Sequence, residues 1–155
     1  MKTLVLISLS LISFNALSES KKEQQSPIFN AELAEHLGAD DYGMKMYVMA
    51  FLKKGPNRDQ SAEEVIQLQQ AHMANIKRMA EAGDLVMAGP FGNNDLGMRG
   101  IYIFNVTTIE AAKALTATDP AIQAGSLVME LIPWYGSAAL MQVNEIGATL
   151  AKKSF

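Results

Sequence analysis

The sequence contains no cysteine, which removes a whole group of structures and reactions. Disulfide scaffolds, thiolate metal sites, cysteine nucleophiles and a lipidated N-terminal cysteine are all excluded. The chain also lacks a basic excess, since 13 Lys and Arg stand against 16 Asp and Glu and the formal charge is -3. Binding to a nucleic-acid backbone depends on such an excess, so we expect no nucleic-acid partner. Any chemistry must therefore use His, Asp, Glu, Tyr, Ser or Arg side chains.

The apolar run from Leu4 to Phe14 is well short of the roughly 20 residues that a membrane-spanning helix needs. Lys2 precedes this run, and the small residues Ala16 and Ser18 follow it, which is the pattern of a secretory signal peptide. We therefore expect residues 1–18 to be removed and the mature protein to be exported, either to a periplasm or to the medium, without stable membrane association. The alternative is an uncleaved anchor.

The length of 155 residues suits one globular domain. Residues 19–43 are predicted to form a polar linker followed by a short helix from Asn30 to Leu37, with Gly38 as its stop. Residues 44–136 are predicted to form the domain itself. In the remainder, residues 137–155, apolar side chains recur at helical spacing and predict a helical tail that packs on the domain or braces a dimer.

Apolar periodicity and capping patterns predict the element order β-α-β-β-α-β. The first strand runs from Met44 to Leu52, and a helix follows the capping box at Ser61 and continues to about Ala82. The later elements are a strand from Leu85 to Ala88, a strand from Arg99 to Val106, a helix from Ile109 to Thr116 and a strand from Leu127 to Ile132. This order predicts an α+β, ferredoxin-like fold with a four-stranded antiparallel sheet and both helices on one face.

Both alternating sets of side chains on the predicted first and third strands are mostly apolar, for example Tyr47 and Met49 against Val48 and Ala50. Two helices cover only one face of a sheet, so the other face would expose a large apolar patch. We therefore expect two sheets to pack face to face in a homodimer.

His72 interrupts the apolar stripe of the first long helix, four residues after Leu68 and four before Ile76. This spacing predicts that the imidazole faces the sheet, with Asn75 nearer the flank. Asp119 follows the second helix, which packs beside the first over the same sheet in this fold. It could accept a hydrogen bond from one imidazole nitrogen and make the other more basic. The alternatives are a hydrogen-bonded core histidine and a turn-forming aspartate before Pro120.

Three segments together resemble the YCII-related family over about Met44 to Tyr135. They are the string around His72, the run Ala88-Gly89-Pro90-Phe91 after the short strand, and Asp119-Pro120 followed by Gly125. The resemblance implies a dimeric α+β barrel of ferredoxin-like units, similar in shape to muconolactone-isomerase-like proteins, with the histidine and the aspartate as a catalytic pair. The export signal and the terminal extensions depart from the short members of the family.

Further residues are candidates for substrate binding. The glycine-rich turn at Gly89, Pro90 and Phe91 lacks the features of a phosphate loop and could line a pocket mouth. Arg99 could neutralise an anionic substrate, or simply be a solvated loop cation. Glu130 lies in an apolar row and could be a second proton carrier or a residue at a wet rim. No spacing of ligands indicates a metal site, and no nucleotide fingerprint indicates a cofactor.

Three functions remain open from the sequence. The leading hypothesis is a cofactor-independent acid–base enzyme of isomerase, lyase or hydrolase type that uses His72 and Asp119 on a small molecule. The second is a non-catalytic module that binds a small ligand in the same pocket. The third is a stability role for His72 in the core. A pocket that connects His72 to solvent favours the first two, and a fully enclosed imidazole favours the third.

Overall fold

The computed structural model describes residues 28–153. The predicted signal peptide, residues 1–18, and residues 19–27 of the predicted linker lie outside the described residues. The helices are α1 (Ala31–Leu37), α2 (Ala62–Glu81), α3 (Ile109–Thr116), α4 (Pro120–Gln123) and α5 (Val143–Leu150), with a 3-10 helix at Ala138–Gln142. The strands are β1 (Met44–Lys54), β2 (Leu85–Pro90), β3 (Met98–Phe104) and β4 (Leu127–Ser137).

The four strands form one antiparallel sheet in the order β2-β3-β1-β4. In this sheet β1 pairs with both β3 and β4, and β2 pairs with β3. The chain passes through α2 between β1 and β2 and through α3 and α4 between β3 and β4. This arrangement is the split βαβ topology, so the predicted ferredoxin-like α+β fold is confirmed.

A pair of capping hydrogen bonds begins α2, and a glycine in a left-handed conformation ends it. The Ser61 hydroxyl accepts from the Glu64 N–H at 3.3 Å, and the Glu64 carboxylate accepts from the Ser61 N–H at 2.7 Å. This reciprocal pair satisfies two N–H groups that a helix start leaves free. At the other end Gly83 adopts a φ of 77°, a left-handed conformation that glycine accepts without steric cost, and the helix stops there.

The main core lies between the helices and one face of the sheet. It contains Val48 and Ala50 of β1, Tyr102 and Phe104 of β3, and Met79 of α2, all of them buried. The pairings of Val48 with Phe104 and of Ala50 with Tyr102 put these four side chains on the same face. Since His72 belongs to the same side of α2 as Met79, the fold turns its imidazole towards Tyr102.

The opposite face of the sheet is partly covered by the C-terminal segment. Tyr47, Val86 and Ile103 form a second buried cluster, and Leu140 and Met141 of the 3-10 helix pack against it. The expectation that this whole face is bare is therefore wrong for the end that carries these residues. The chain itself shields them, because its tail turns back across the sheet after β4.

The last strand is longer than predicted. It continues to Ser137, although the sequence predicted an end at Ile132 before Pro133. β4 is an edge strand that pairs only with β1, and Pro133 lies opposite Val48 in this ladder. An edge strand tolerates a proline because only one of its sides is hydrogen-bonded. The ends of β2 and β3 differ from the predicted ends by at most two residues.

Candidate active site

His72 and Asp119 lie in direct contact at the centre of the molecule. The His72 Nδ1 is 2.8 Å from Oδ2 and 3.0 Å from Oδ1 of Asp119. Because an ionised carboxylate can only accept, Nδ1 carries the proton and donates it, and the lone pair of the ring remains on Nε2. The contact thus selects the tautomer in which Nε2 can accept a proton.

Asp119 is held in place by the helix that follows it. Its Oδ1 accepts a hydrogen bond from the Ala121 N–H at 2.9 Å, so Asp119 caps α4, and Pro120 occupies the start of that helix. Asp119 is 0% exposed and His72 is 8% exposed. The turn-forming and the histidine-orienting interpretations of Asp119 therefore describe the same carboxylate, which accepts from both groups.

Tyr102 completes the group around the imidazole. Its hydroxyl oxygen lies 3.3 Å from the His72 Nε2, on the far side of the ring from Asp119. Burial, and secondarily the negative charge of Asp119, raise the pKa of Tyr102 above its usual value. The phenol therefore stays protonated and can donate a hydrogen bond. Sequence reasoning treated Tyr102 only as a strand residue, because its approach to His72 depends on non-local packing of β3 against α2.

A polar cluster ties α2 to the segment that carries Asp119. The Asn75 Oδ1 accepts from the Arg78 Nη2 at 2.9 Å, and the same Nη2 lies 3.0 Å from the Thr118 Oγ1. The Thr118 hydroxyl is in turn 3.1 Å from the Asn75 Oδ1. Asn75 lies one turn after His72 on the helix flank, and this flank is buried too, because Thr118 packs against it. The cluster thus links the helix that carries His72 to Thr118, the residue before Asp119.

A cavity of about 950 Å³ reaches His72, while Asp119 lies behind it and does not border the cavity. This volume is within the usual range of roughly 300–1,000 Å³ for small-molecule sites. The imidazole keeps 11% of its side-chain surface exposed, whereas the Asp119 side chain has none. The predicted site residues that border the cavity, together with Tyr102, are His72, Gly89, Pro90, Phe91 and Arg99.

Glu130 and Arg99 differ in position from the other predicted site residues. Glu130 does not border the cavity: it pairs with Phe51 across the sheet, lies on the face turned away from the helices, and forms an ion pair with Lys53. The structure therefore does not bring Glu130 to His72. Arg99 borders the cavity, but it lies at a register shift between β3 and β1, where Leu52 pairs with Gly100 and Lys53 with Met98, so strand alternation does not assign its side chain to a face.

Within residues 28–153, no three His, Asp or Glu side chains come close enough together to share a metal ion. In this part of the chain no helix has the length and the apolar character to cross a membrane. The other histidine, His36, is an exposed residue of α1 and does not border the cavity.

The part of the chain that contains this site matches a known protein family. Residues 46–135 match the YCII-related domain. The chain belongs to the YCII-related family. The match covers more than half of the chain and includes His72, Tyr102 and Asp119. The resemblance based on the string around His72, on Ala88-Gly89-Pro90-Phe91 and on Asp119-Pro120 is thereby confirmed.

The YCII-like chain shows no significant sequence similarity to any curated protein. Among solved structures, it is similar to the 5-chloro-2-hydroxyhydroquinone dehydrochlorinase of Burkholderia phenoliruptrix AC1100 in complex with 2,5-dihydroxybenzoquinone. The identity is 20% and the TM-score is 0.41, over 56% of this chain and 92% of that chain. A likeness of this size carries no inference about the reaction or the ligand of the present chain.

Proposed function

We propose that this YCII-family protein is a small-molecule enzyme in which His72 acts as general base and general acid. The observation that carries the proposal is the buried His72–Asp119 pair, whose histidine borders a ligand-sized cavity. An aspartate on Nδ1 orients the imidazole and stabilises the cation that forms when Nε2 takes up a proton. The pair therefore has the arrangement of a proton-transfer site.

The chemistry requires one proton to move to and from a substrate atom. Nε2 removes a proton from a carbon, a hydroxyl or a water in the cavity. The imidazolium then gives it to another atom of the same molecule in an isomerisation, or to the group that leaves in an elimination or a hydrolysis. Isomerisation, elimination and hydrolysis all use this cycle, and none of them needs a cofactor. The proposal is therefore a cofactor-independent isomerase, lyase or hydrolase.

Tyr102 would serve as the hydrogen-bond donor of this cycle. In the free protein its hydroxyl lies near Nε2 at 3.3 Å, a long contact that a substrate group could replace. The phenol would then donate to an oxygen of the substrate on which negative charge develops. Such donors act strongly in a buried site because little water competes for the charge. Burial raises the pKa of Tyr102, which keeps this proton on the phenol.

The cavity argues against a purely structural role for His72. A core histidine needs partners for its nitrogens, and Asp119 and Tyr102 supply them. It does not need a cavity of about 950 Å³ beside it. An open volume next to polar groups instead supports a ligand-binding site. A non-catalytic binding module would use the same cavity, and turnover separates the two.

We further propose that the protein is exported and forms a homodimer. Lys2 and the apolar run from Leu4 to Phe14 support export. On the sheet face away from the helices, Val128 and Ile132 remain 41% and 43% exposed, beyond the part that the C-terminal tail covers. A second copy packed there would bury them. N-terminal mass spectrometry of exported protein and sedimentation at micromolar concentration test the two proposals; an intact Met1 and a monomer contradict them.

The experiment for function starts with a thermal-shift screen of small metabolites. A ligand at a hundred times its dissociation constant adds about 2.7 kcal/mol of apparent stability, which is readily detected. Hits are then assayed for conversion by the unchanged protein and by His72→Gln. Conversion that depends on His72 supports the enzyme. Binding of hits without any conversion, in a protein whose fold is intact, would support the binding module instead.

A further inference from the structure

The cavity beside His72 gathers positive charge in an acidic protein. Exposed Lys54, Arg58 and Arg99 all border it, and Asp95 is the only bordering carboxylate among the described residues. The chain as a whole has a formal charge of -3. None of the ion pairs found within residues 28–153 includes any of these three cations. The local charge is therefore opposite in sign to that of the whole protein and remains available to a ligand.

Strand alternation directs Lys54 towards the cavity. Lys54 belongs to the same set of β1 side chains as Ala50 and Leu52, which face the helices, and it pairs with Leu127 of β4. Both Leu52 and Leu127 border the cavity as well. Of the three cations, Lys54 thus has the side chain whose strand position puts it on the same side of the sheet as Tyr102, whereas Arg99 lies at a register shift that leaves its face unassigned.

Arg58 is held at the cavity by the loop that precedes α2. Its Nη1 donates to the Ser126 carbonyl at 3.1 Å, and the Asn57 N–H donates to the Gly125 carbonyl at 3.0 Å. Gly55 permits this close docking, since a Cβ there would lie 2.1 Å from the Gly125 carbonyl oxygen. The docked loop positions the backbone of Arg58, and the exposed guanidinium uses only one of its five N–H groups on Ser126.

Gln60, two residues further along, lacks an acceptor at the same place. It borders the cavity, and its Nε2 is buried without any hydrogen-bond partner, the one such side-chain atom found within residues 28–153. Buried donors are normally paired, so an unpaired one beside a cavity indicates a missing acceptor. Because this nitrogen has almost no accessible surface, a ligand carboxylate in the cavity would accept from it only after the Gln60 side chain turns towards the cavity.

The cation Lys54 and the proposed reacting groups lie at different positions along the direction of β1. Ala50 pairs with Tyr102, and Lys54 lies four residues further along β1, which corresponds to about 13 Å of strand. Between them on this face of β1 lies Leu52, and Leu68 of α2 also borders the cavity. A ligand that contacts both ends must therefore be longer than a single ring and carry its charge at one end.

We infer that the cavity binds elongated organic carboxylates. The carboxylate would lie between Lys54, Arg58 and Gln60, an apolar segment would lie against the leucines, and the opposite end would reach His72 and Tyr102. Only the statement that this opposite end reacts rests on the proposed function. The binding of the anionic end stands on the two cations and the apolar lining of the cavity.

The test compares 4-phenylbutyrate with its neutral amide, 4-phenylbutyramide, by calorimetric titration of the whole protein. We expect the carboxylate to bind about tenfold more tightly, as a charge-assisted hydrogen bond contributes. The variant Lys54→Gln/Arg58→Gln should bind both compounds equally. Lys113→Gln, which removes an exposed charge of α3 away from the cavity, should keep the preference. Benzoate is too short to span both ends, so unlike 4-phenylbutyrate it should not shift the imidazole signals of His72.

Three results would overturn the inference: equal binding of carboxylate and amide by the unchanged protein, an undiminished preference in the double variant, or no saturable binding of either compound. His72→Gln separates this inference from the proposed function. If that variant still prefers the carboxylate while no hit of the metabolite screen is converted by the unchanged protein, the anion site stands and the enzyme proposal fails. If conversion depends on His72 but the carboxylate binds no more tightly than the amide, the enzyme proposal stands and the anion site fails.

Discussion

The change Asp119→Asn tests the histidine pair at almost constant volume. The asparagine Oδ1 can still accept from the Ala121 N–H, which lies 2.9 Å from the carboxylate oxygen. The new amide NH₂ then takes the position of Oδ2, 2.8 Å from the His72 Nδ1. Two donors cannot face each other there, and the Oδ1 that lies 3.0 Å from Nδ1 already accepts from the Ala121 N–H, so we expect the proton to move to Nε2 and Nδ1 to accept from the new amide. The nitrogen that faces Tyr102 then has no lone pair for a substrate proton.

The size of each effect follows from these contacts. A hydrogen bond to a charged group contributes about 1.5–3 kcal/mol and a neutral one about 1 kcal/mol, so the loss of stability should be about 1–2 kcal/mol. For a chain of this size that lowers the melting temperature by a few degrees. Loss of the general base should lower kcat by about 10²–10⁴-fold. Activity should therefore fall far more than stability.

The tautomer can be read without a substrate. In a His36→Gln background, His72 is the only imidazole, since the chain has 2 histidines. The ¹⁵N chemical shifts of its ring then report which nitrogen carries the proton. We expect the proton on Nδ1 with Asp119 and on Nε2 with asparagine. Asp41→Asn, a change at an exposed loop residue away from this cavity, is the matched control and should leave the shifts unchanged.

The reasoning fails if Asp119→Asn keeps its proton on Nδ1. It also fails if the variant is less stable but converts a substrate of the unchanged protein at an undiminished rate per folded molecule. The first result would mean that the carboxylate does not select the tautomer, and the second that His72 is only a core residue. A variant that does not fold would be replaced by His72→Gln, which removes the base and leaves the cap of α4 intact.

Three further changes test other contacts. Tyr102→Phe should lower kcat about 10²-fold. Because burial raises the pKa of the Tyr102 phenol, the stabilising effect of this group is full below about pH 10 and is lost at higher pH. The free energy of unfolding of the variant, measured with denaturant, should therefore depend less on alkaline pH. Asp40→Asn should lower the melting temperature at neutral pH and not in strong acid. Hydrogen bonds, first from the Tyr135 hydroxyl, lower the pKa of Asp40, and the stabilising effect of the carboxylate is lost as the pH falls through that pKa. An equal loss of melting temperature at both pH values would contradict this. Gly55→Ala should cost about 1–3 kcal/mol in urea unfolding, since the added Cβ meets the Gly125 carbonyl oxygen, and a neutral result would mean that the loop is not docked there.

Local patterns were sufficient to predict most of the fold. The capping box at Ser61 and the glycine at position 83 define both ends of α2 in the sequence and in the structure. The same helical spacing predicted the sheet-facing position of His72, since a residue four positions from two apolar neighbours shares their face. The proximity of Asp119 followed from topology, because the segment after α3 packs beside α2 in a split βαβ fold.

Features that depend on distant parts of the chain could not be predicted in this way. The nearness of Tyr102 to His72 requires the register of β3 and the height of α2 above it. The position of Glu130 requires knowing which face of β4 meets the helices, and alternation alone defines two faces without saying which is inside. The path of the tail over Tyr47 and Ile103 likewise depends on where β4 ends.

The two ends of the cavity differ in how firmly the fold holds them. His72 and Tyr102 lie on regular elements, and Asp119 is tied to both His72 and α4. The two cations instead lie at the end of β1 and in the loop before α2, where Lys54 and Arg58 are exposed. Proton transfer requires positions accurate to a fraction of an ångström, whereas recognition of a charge tolerates more freedom. Changes in the loop should therefore alter which ligands bind while the geometry of the proton-transfer pair is preserved.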